Sequence, residues 1–176
     1  MRRPVDEALI RRFLRAFGAE AKEETRLYFT GGVTAVLHGW RESTVDLDIR
    51  FFPEGDNLYR AIPELKESLH LNIELAAPSD FIPELPGWRD RSAFIAREGK
   101  VSYYHYDYYA QALAKIERGH DRDVEDVNHM IEDGLVEPDK ARDLFQAIEP
   151  NLYRFPAVDP RRFRERVASA FRSHSS

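Results

Sequence analysis

The stretch that most constrains this chain runs from Tyr28 to Phe52, Y-F-T-G-G-V-T-A-V-L-H-G-W-R-E-S-T-V-D-L-D-I-R-F-F. A short apolar run ends in the pair Gly31-Gly32, a helix-like segment follows, and a strand-like run then carries two carboxylates one residue apart. In a β-strand successive side chains point to opposite faces. A strand over Val45–Phe51 therefore places Val45, Leu47, Ile49 and Phe51 on one face and Asp46, Asp48 and Arg50 on the other. Carboxylates at i and i+2 stand roughly 6.5–7 Å apart along a strand, close enough to lean onto one divalent ion or a pair of them. Hard oxygen ligands suit Mg²⁺, commonly held by one or two carboxylates with substrate phosphates in other positions. An edge strand with a polar outer face shows the same alternation.

The first half of the stretch narrows the choice. Leu27-Tyr28-Phe29 reads as a short buried strand, and Gly31-Gly32 lets the backbone turn sharply before a helix starting near Val33. A helix N-terminus offers unpaired N–H groups and a favourable dipole to phosphate, and Thr30 or Thr34 would add a hydroxyl. A glycine turn with no ligand is the plain alternative. Strand, Gly-Gly, helix and a D-x-D strand in that order is more specific than any one part.

The order of an apolar residue with Gly31-Gly32, then thirteen residues, then Asp46-Leu47-Asp48-Ile49 resembles the signature of the nucleotidyltransferase (DNA polymerase β-like) superfamily. More closely, the chain is similar to small bacterial nucleotidyltransferase-like proteins related to the abortive-infection AbiEii-type toxins, from about Leu27 to about Phe145. The resemblance implies that Gly31 and Gly32 form the phosphate-binding turn, where many members carry Gly-Ser, and that Asp46 and Asp48 are the paired metal carboxylates. It also implies a third carboxylate on a neighbouring strand. Leu71–Ala76 reads as the next strand, with Asn72, Glu74 and Ala76 on one face, and Glu74 is the match by order. In active members that acid serves as general base or further metal ligand; a solvent-facing Glu on an edge strand is the alternative.

A second block, Lys115 with Arg122, Asp123 and Asp126, resembles the second conserved block of AbiEii-type nucleotidyltransferases. By that match Lys115 contacts the nucleotide phosphates and Asp123 or Asp126 orients it or a neighbouring arginine; a surface helix laced with ion pairs is the other reading. His120-Asp121 lacks the further histidines of metal phosphohydrolases, and His105, Asp107 and His120 match no familiar zinc spacing. Capping and surface roles are expected for these two histidines.

The rest of the chain frames this core. Pro4 suits a first helical turn; Val5, Leu9, Ile10, Phe13, Leu14 and Phe17 recur at helical spacing, and Gly18 reads as a stop. Leu58, Ile62, Leu65 and Leu69 mark a second helix that Pro63 should kink or restart. Pro78–Trp88 reads as an ordered loop, and Ala93–Ala96 with Val101–Tyr106 as a hairpin. Its tyrosines, Tyr103, Tyr104, Tyr106, Tyr108 and Tyr109, either fill the hairpin and helix junction or stack on a base. Asp107 caps a helix ending at Gly119; another carries Val124, Val127, Met130 and Ile131; Pro138–Ile148 and Arg161–Phe171 follow, then a Ser-rich end expected to fray.

With 176 residues the chain can bury a real core, and with no cysteine it has neither disulfides nor thiolate metal sites. The start lacks an apolar signal core and no run reaches membrane-spanning length, so a cytoplasmic protein without membrane contact is expected. The net charge of −5 is uneven: residues 1–30 hold seven basic and five acidic side chains, 154–172 hold six and two, and the remainder is −11. Arg161, Arg162, Arg164 and Arg166 either meet an RNA backbone or form a solvated helix face.

The expected fold is α/β, a nucleotidyltransferase-like short mixed sheet with packed helices. Residues 1–106 form the core, and 107–176 a helical C-terminal part packed on it. The resemblance implies transfer of a nucleotidyl group from a nucleoside triphosphate, with Mg²⁺ or Mn²⁺ as cofactor, to an RNA (tRNA) or protein hydroxyl, as in the toxin of a pair with a cognate antitoxin. Catalysis is assigned to Asp46, Asp48 and Glu74, and nucleotide binding to Gly31, Gly32, Thr34, Lys115 and Asp123. A binding module that keeps the fold without turnover is the second expectation.

Overall fold

The computed structural model describes residues 3–172. In chain order its regular elements are α1 (Glu7–Glu20), β1 (Thr25–Thr30), α2 (Gly32–Leu37), β2 (Asp46–Phe52), α3 (Asp56–Leu69), β3 (Asn72–Leu75), α4 (Trp88–Arg91), β4 (Ala93–Glu98), β5 (Val101–His105), α5 (Tyr108–Arg118), α6 (Asp121–Glu132), α7 (Pro138–Ile148) and α8 (Pro160–Arg172). Short 3₁₀ turns occupy Pro78–Asp80 and Glu149–Arg154. This is the expected α/β architecture. No helix among the described residues is long and apolar enough to cross a membrane. The Ser-rich end expected to fray lies outside the described residues.

The chain divides into two compact units, one formed by the residues up to Ala77 with Ser92–Tyr106, the other by Pro78–Arg91 with the residues from Asp107 on. The first unit is built on a five-stranded sheet of order β3-β2-β1-β5-β4. β1 runs antiparallel to β2 and parallel to β5; β2 and β3 are parallel, and β4 and β5 form an antiparallel hairpin. Alternation along β2 buries Leu47, Ile49 and Phe51 and leaves Asp46, Asp48 and Arg50 half-buried. Val45 departs from expectation: it precedes the strand and is 69 % exposed.

The apolar sheet face packs with α1 and α3. Leu9, Ile10, Phe13, Leu14 and Phe17 of α1 and Leu58, Ile62, Leu65 and Leu69 of α3 share one core with Leu27, Phe29, Leu47, Ile49 and Phe51. Phe13 stacks on Phe17 at 5.3 Å, and Phe17 meets Phe51 edge-on at 5.6 Å. Tyr103 belongs to this core, stacked on Phe29 at 5.8 Å and donating its hydroxyl to the Leu14 carbonyl at 2.8 Å. Hairpin filling is therefore the role of Tyr103.

Three helix boundaries differ from the sequence reading. α1 starts at Glu7, because the Asp6 carboxylate accepts the Leu9 N–H at 2.8 Å; Pro4 and Val5 lie before it, and Val5 bridges Thr44. Gly18 does not stop α1 but lies inside it, where the helix backbone meets the β4–β5 turn. A Cβ on Gly18 would stand 2.5 Å from the Glu98 carbonyl oxygen, and one on Gly99 2.5 Å from that of Gly18. Pro63 does not restart α3, which begins at Asp56 and runs through it.

In the second unit α5 is capped by Asp107, whose carboxylate accepts the Tyr109 N–H at 3.2 Å and two Arg91 hydrogen bonds at 3.1 and 2.7 Å. Gly119, at φ 72°, closes α5. α6 buries Val127 and Met130; Val124, expected beside them, is 51 % exposed. Phe145 of α7 meets Phe163 of α8 at 4.8 Å. Of the α8 arginines, Arg164 pairs with Glu149 at 2.7 Å, Arg161 lies 3.4 Å from Glu165, and Arg166 donates to the Glu117 carbonyl.

His105 is not a surface histidine. It is buried at the end of β5, shares a 2.9 Å hydrogen bond between Nδ1 and the Thr34 hydroxyl, and lies 4.9 Å from the His38 ring. Burial, reinforced by His38, pushes its pKa down to about 3. Below the ordinary histidine range the unfolded chain therefore binds a proton that the folded state refuses. The stability tied to this neutral ring is whole above about pH 6.5 and is lost on acidification toward about pH 3. Urea unfolding across this window should show a slope that His105→Gln makes shallower by up to about 1.4 kcal/mol per pH unit; equal slopes would refute the buried neutral ring.

Candidate functional site

The acidic site follows from strand register. β2 lies between β1 and β3, with Asp48 opposite Thr30 on one side and Glu74 on the other, and with Asp46 opposite Asn72. Directly paired residues share a face, so Asp46, Asp48 and Glu74 stand together. One oxygen from each lies within 4.8 Å of the others. Asp46 and Asp48 are half-buried and Glu74 is exposed. This is the one group of three or more His, Asp or Glu among the described residues placed to share a metal ion. His105, Asp107 and His120 are not such a group.

Asn72 was not singled out from the sequence, yet it ties this cluster together. Its side-chain amide donates to Asp46 Oδ1 at 2.6 Å and to Glu74 Oε1 at 3.2 Å. The available signal was its position two residues before Glu74, on the same strand face. Asp48 Oδ1 is buried and accepts no hydrogen bond. Three carboxylates this close repel one another in the absence of positive charge, and their hard oxygens match Mg²⁺ or Mn²⁺. The donor set fits a divalent cation.

The glycine turn abuts the same cluster. Gly31 caps α2 with φ +66°, a conformation open to glycine, and a Cβ there would lie 3.0 Å from Asp48 Oδ2. A Cβ on Gly32 would collide with the Thr44 side chain. Thr34, in the first turns of α2, is fully buried, and its hydroxyl is the one bonded to His105.

Lys115 and Asp123 lie in the second unit, within a buried ion network. Lys115 Nζ is 2.9 Å from Asp126 Oδ2 and 3.7 Å from Asp123 Oδ1. Asp123 also accepts Arg118 Nε at 2.7 Å and the His120 N–H at 3.2 Å, which makes His120 the cap of α6. The arginine at Asp123 is thus Arg118, across the Gly119 break, while Arg122 is exposed. Burial pushes the Asp123 carboxyl up, but the Arg118 hydrogen bonds, with the charges of Arg118 and Lys115, hold it below its ordinary value. Asp126→Ala leaves the buried Lys115 ammonium short of its nearest partner and should cost roughly 3–5 kcal/mol in denaturant unfolding; a loss within ±0.5 kcal/mol would show that the network is not holding α5 to α6.

Residues 13–161 match the family described as "Nucleotidyltransferase of unknown function (DUF6036)". That span takes in the glycine turn, the three carboxylates of the sheet and the Lys115 network. No match is found among curated proteins or among solved structures. With most of its length matched, the chain belongs to this nucleotidyltransferase family.

Proposed function

We propose that the protein transfers a nucleotidyl group from a nucleoside triphosphate to an acceptor hydroxyl at Asp46, Asp48 and Glu74. The observation that carries this reading is the meeting of these three carboxylates on one sheet face, with the Gly31 backbone against Asp48. Mg²⁺ or Mn²⁺ bound by Asp46, Asp48 and Glu74 would supply positive charge to the triphosphate and acidify the acceptor hydroxyl. Asp46 and Asp48 contribute the two half-buried carboxylates of the three, with the Asn72 amide bonded to Asp46 and Glu74. Glu74, the exposed member, is assigned to take the acceptor proton as oxygen bonds to the α-phosphorus and the bond to the departing pyrophosphate breaks.

The Gly31-Gly32 turn brings backbone close to that centre and is assigned to phosphate, with buried Thr34 holding the start of α2 through His105. Lys115 is assigned to nucleotide phosphates by the family resemblance alone; within the second unit its ammonium is held between Asp126 and Asp123. The resemblance to AbiEii-type toxins favours a tRNA or protein acceptor and a cognate antitoxin; that step is analogy.

The decisive experiment incubates the protein with each α-labelled nucleoside triphosphate, Mg²⁺ and bacterial RNA or extract, beside Asp46→Asn and Asp48→Asn. Label should enter RNA or protein with the native chain, and either substitution should slow transfer on the order of a thousandfold. Transfer at the native rate by Asp46→Asn would remove the metal-site assignment. Nucleotide binding without label would favour the non-catalytic module. A second test uses Gly31→Ala, where the φ 66°, ψ −131° backbone adds strain of roughly 1–3 kcal/mol and pressure on Asp48 should weaken Mn²⁺ binding measured by titration calorimetry; unchanged affinity would uncouple the turn from the carboxylates.

A further inference from the structure

The sheet face that bears the carboxylates carries a second set of groups in register with them. Two residues beyond Asp48, Arg50 pairs with Tyr28, Tyr28 with Tyr104, and Tyr104 with Phe94; two residues further, Phe52 pairs with Arg26. Directly opposite residues share a face, so these six side chains continue the surface on which Asp46, Asp48 and Glu74 stand. They form one contact set. Tyr104 stacks on buried Tyr28 at 5.3 Å with the rings 23° apart, Phe94 meets Tyr104 edge-on at 5.7 Å, Arg26 lies over Tyr104 at 5.7 Å and Arg50 over Phe52 at 5.8 Å.

Cross-strand aromatic packing accounts for Tyr28, which is buried. It does not account for the outer members. Phe94 is 60 % exposed, Arg26 is exposed, and Tyr104 and Phe52 are half-buried, all on the face opposite the apolar core. Rings that present their surface to water beside guanidinium groups match the chemistry of unpaired nucleotides. Aromatic rings and guanidinium planes stack with bases, and the cations meet phosphates. Strand spacing and rise put Tyr104 roughly 12 Å from Asp48, a span that a few nucleotides cover.

We propose that this face is the acceptor-binding surface of the protein and that it holds a single-stranded nucleic acid. Bases stack on Phe94 and Tyr104, Arg26 and Arg50 take the phosphates or the next base plane, and the strand's terminal hydroxyl is delivered to Asp46, Asp48 and Glu74. The delivery step rests on the nucleotidyl-transfer reading; the binding surface does not.

The test measures fluorescence anisotropy of a labelled single-stranded RNA of about 12 nucleotides, and of the same RNA as a duplex, with the full chain. The native protein should bind the single strand more tightly than the duplex. Phe94→Ala and Arg26→Ala, at exposed positions, should each weaken it about tenfold, while Phe94→Trp retains it; circular dichroism melts confirm that the variants fold. Asp46→Asn/Asp48→Asn should still bind the strand. No binding of the single strand, or binding untouched by both Phe94→Ala and Arg26→Ala, overturns the proposal even if label is transferred to a protein. Binding that depends on Phe94 in a protein that transfers no label upholds the surface and rejects the catalytic reading.

Discussion

The pairing of β1 with β2 is the constraint on which the site depends. Antiparallel register sets Thr30 against Asp48, so the turn that leaves β1 at Gly31 lies at the carboxylate two strand positions beyond the start of β2's acidic face. Because side chains alternate with a period of two, a slip by one residue would send Asp46 and Asp48 into the core and Leu47 and Ile49 into water. The burial of Leu47, Ile49 and Phe51 against α1 and α3 therefore fixes the orientation of the acids. Core and site are two sides of one register, and neither can change alone.

Parallel pairing of β3 completes the set. It places Glu74 opposite Asp48 and Asn72 opposite Asp46, so an edge strand of four residues supplies one carboxylate and the amide that steadies two of them. The second unit handles its charge differently. Lys115 and Asp126 are nearly inaccessible and satisfy each other, with Asp123 shared between Lys115 and Arg118. Charge in the sheet cluster is of one sign and suits a cation; charge in the helical network is mutually compensated and suits cohesion.

Much of this was legible from periodicity. The strict alternation from Asp46 to Phe51 identified the acidic face of β2, and Asp107 and Gly119 marked the two ends of α5 because both act locally, one through its carboxylate and one through its left-handed backbone. What escaped was set by distant partners. Gly18 looked like a helix stop, but its lack of a side chain serves a contact with Glu98, eighty residues away in sequence. His105 looked like a surface residue because nothing nearby announces that Thr34 and His38 surround its ring. Asn72 carried no motif, and its role exists only once β3 is laid beside β2. Val45 followed the alternating pattern yet lies before the strand begins, where pairing no longer holds its side chain inward.

The contact between α1 and the β4–β5 turn changes how that turn should be regarded. A two-residue hairpin tip with Gly99 and Lys100, both exposed, has the outward marks of a segment that tolerates added sequence. Here the backbone of Gly99 rests on the backbone of Gly18, with no room for even one methyl group between them. The tip is a clamp on the last turn of a helix. Tags, loop extensions or new chain termini placed there would pry α1 from the sheet, so the hairpin end is among the least suitable points of the first unit for insertion or permutation.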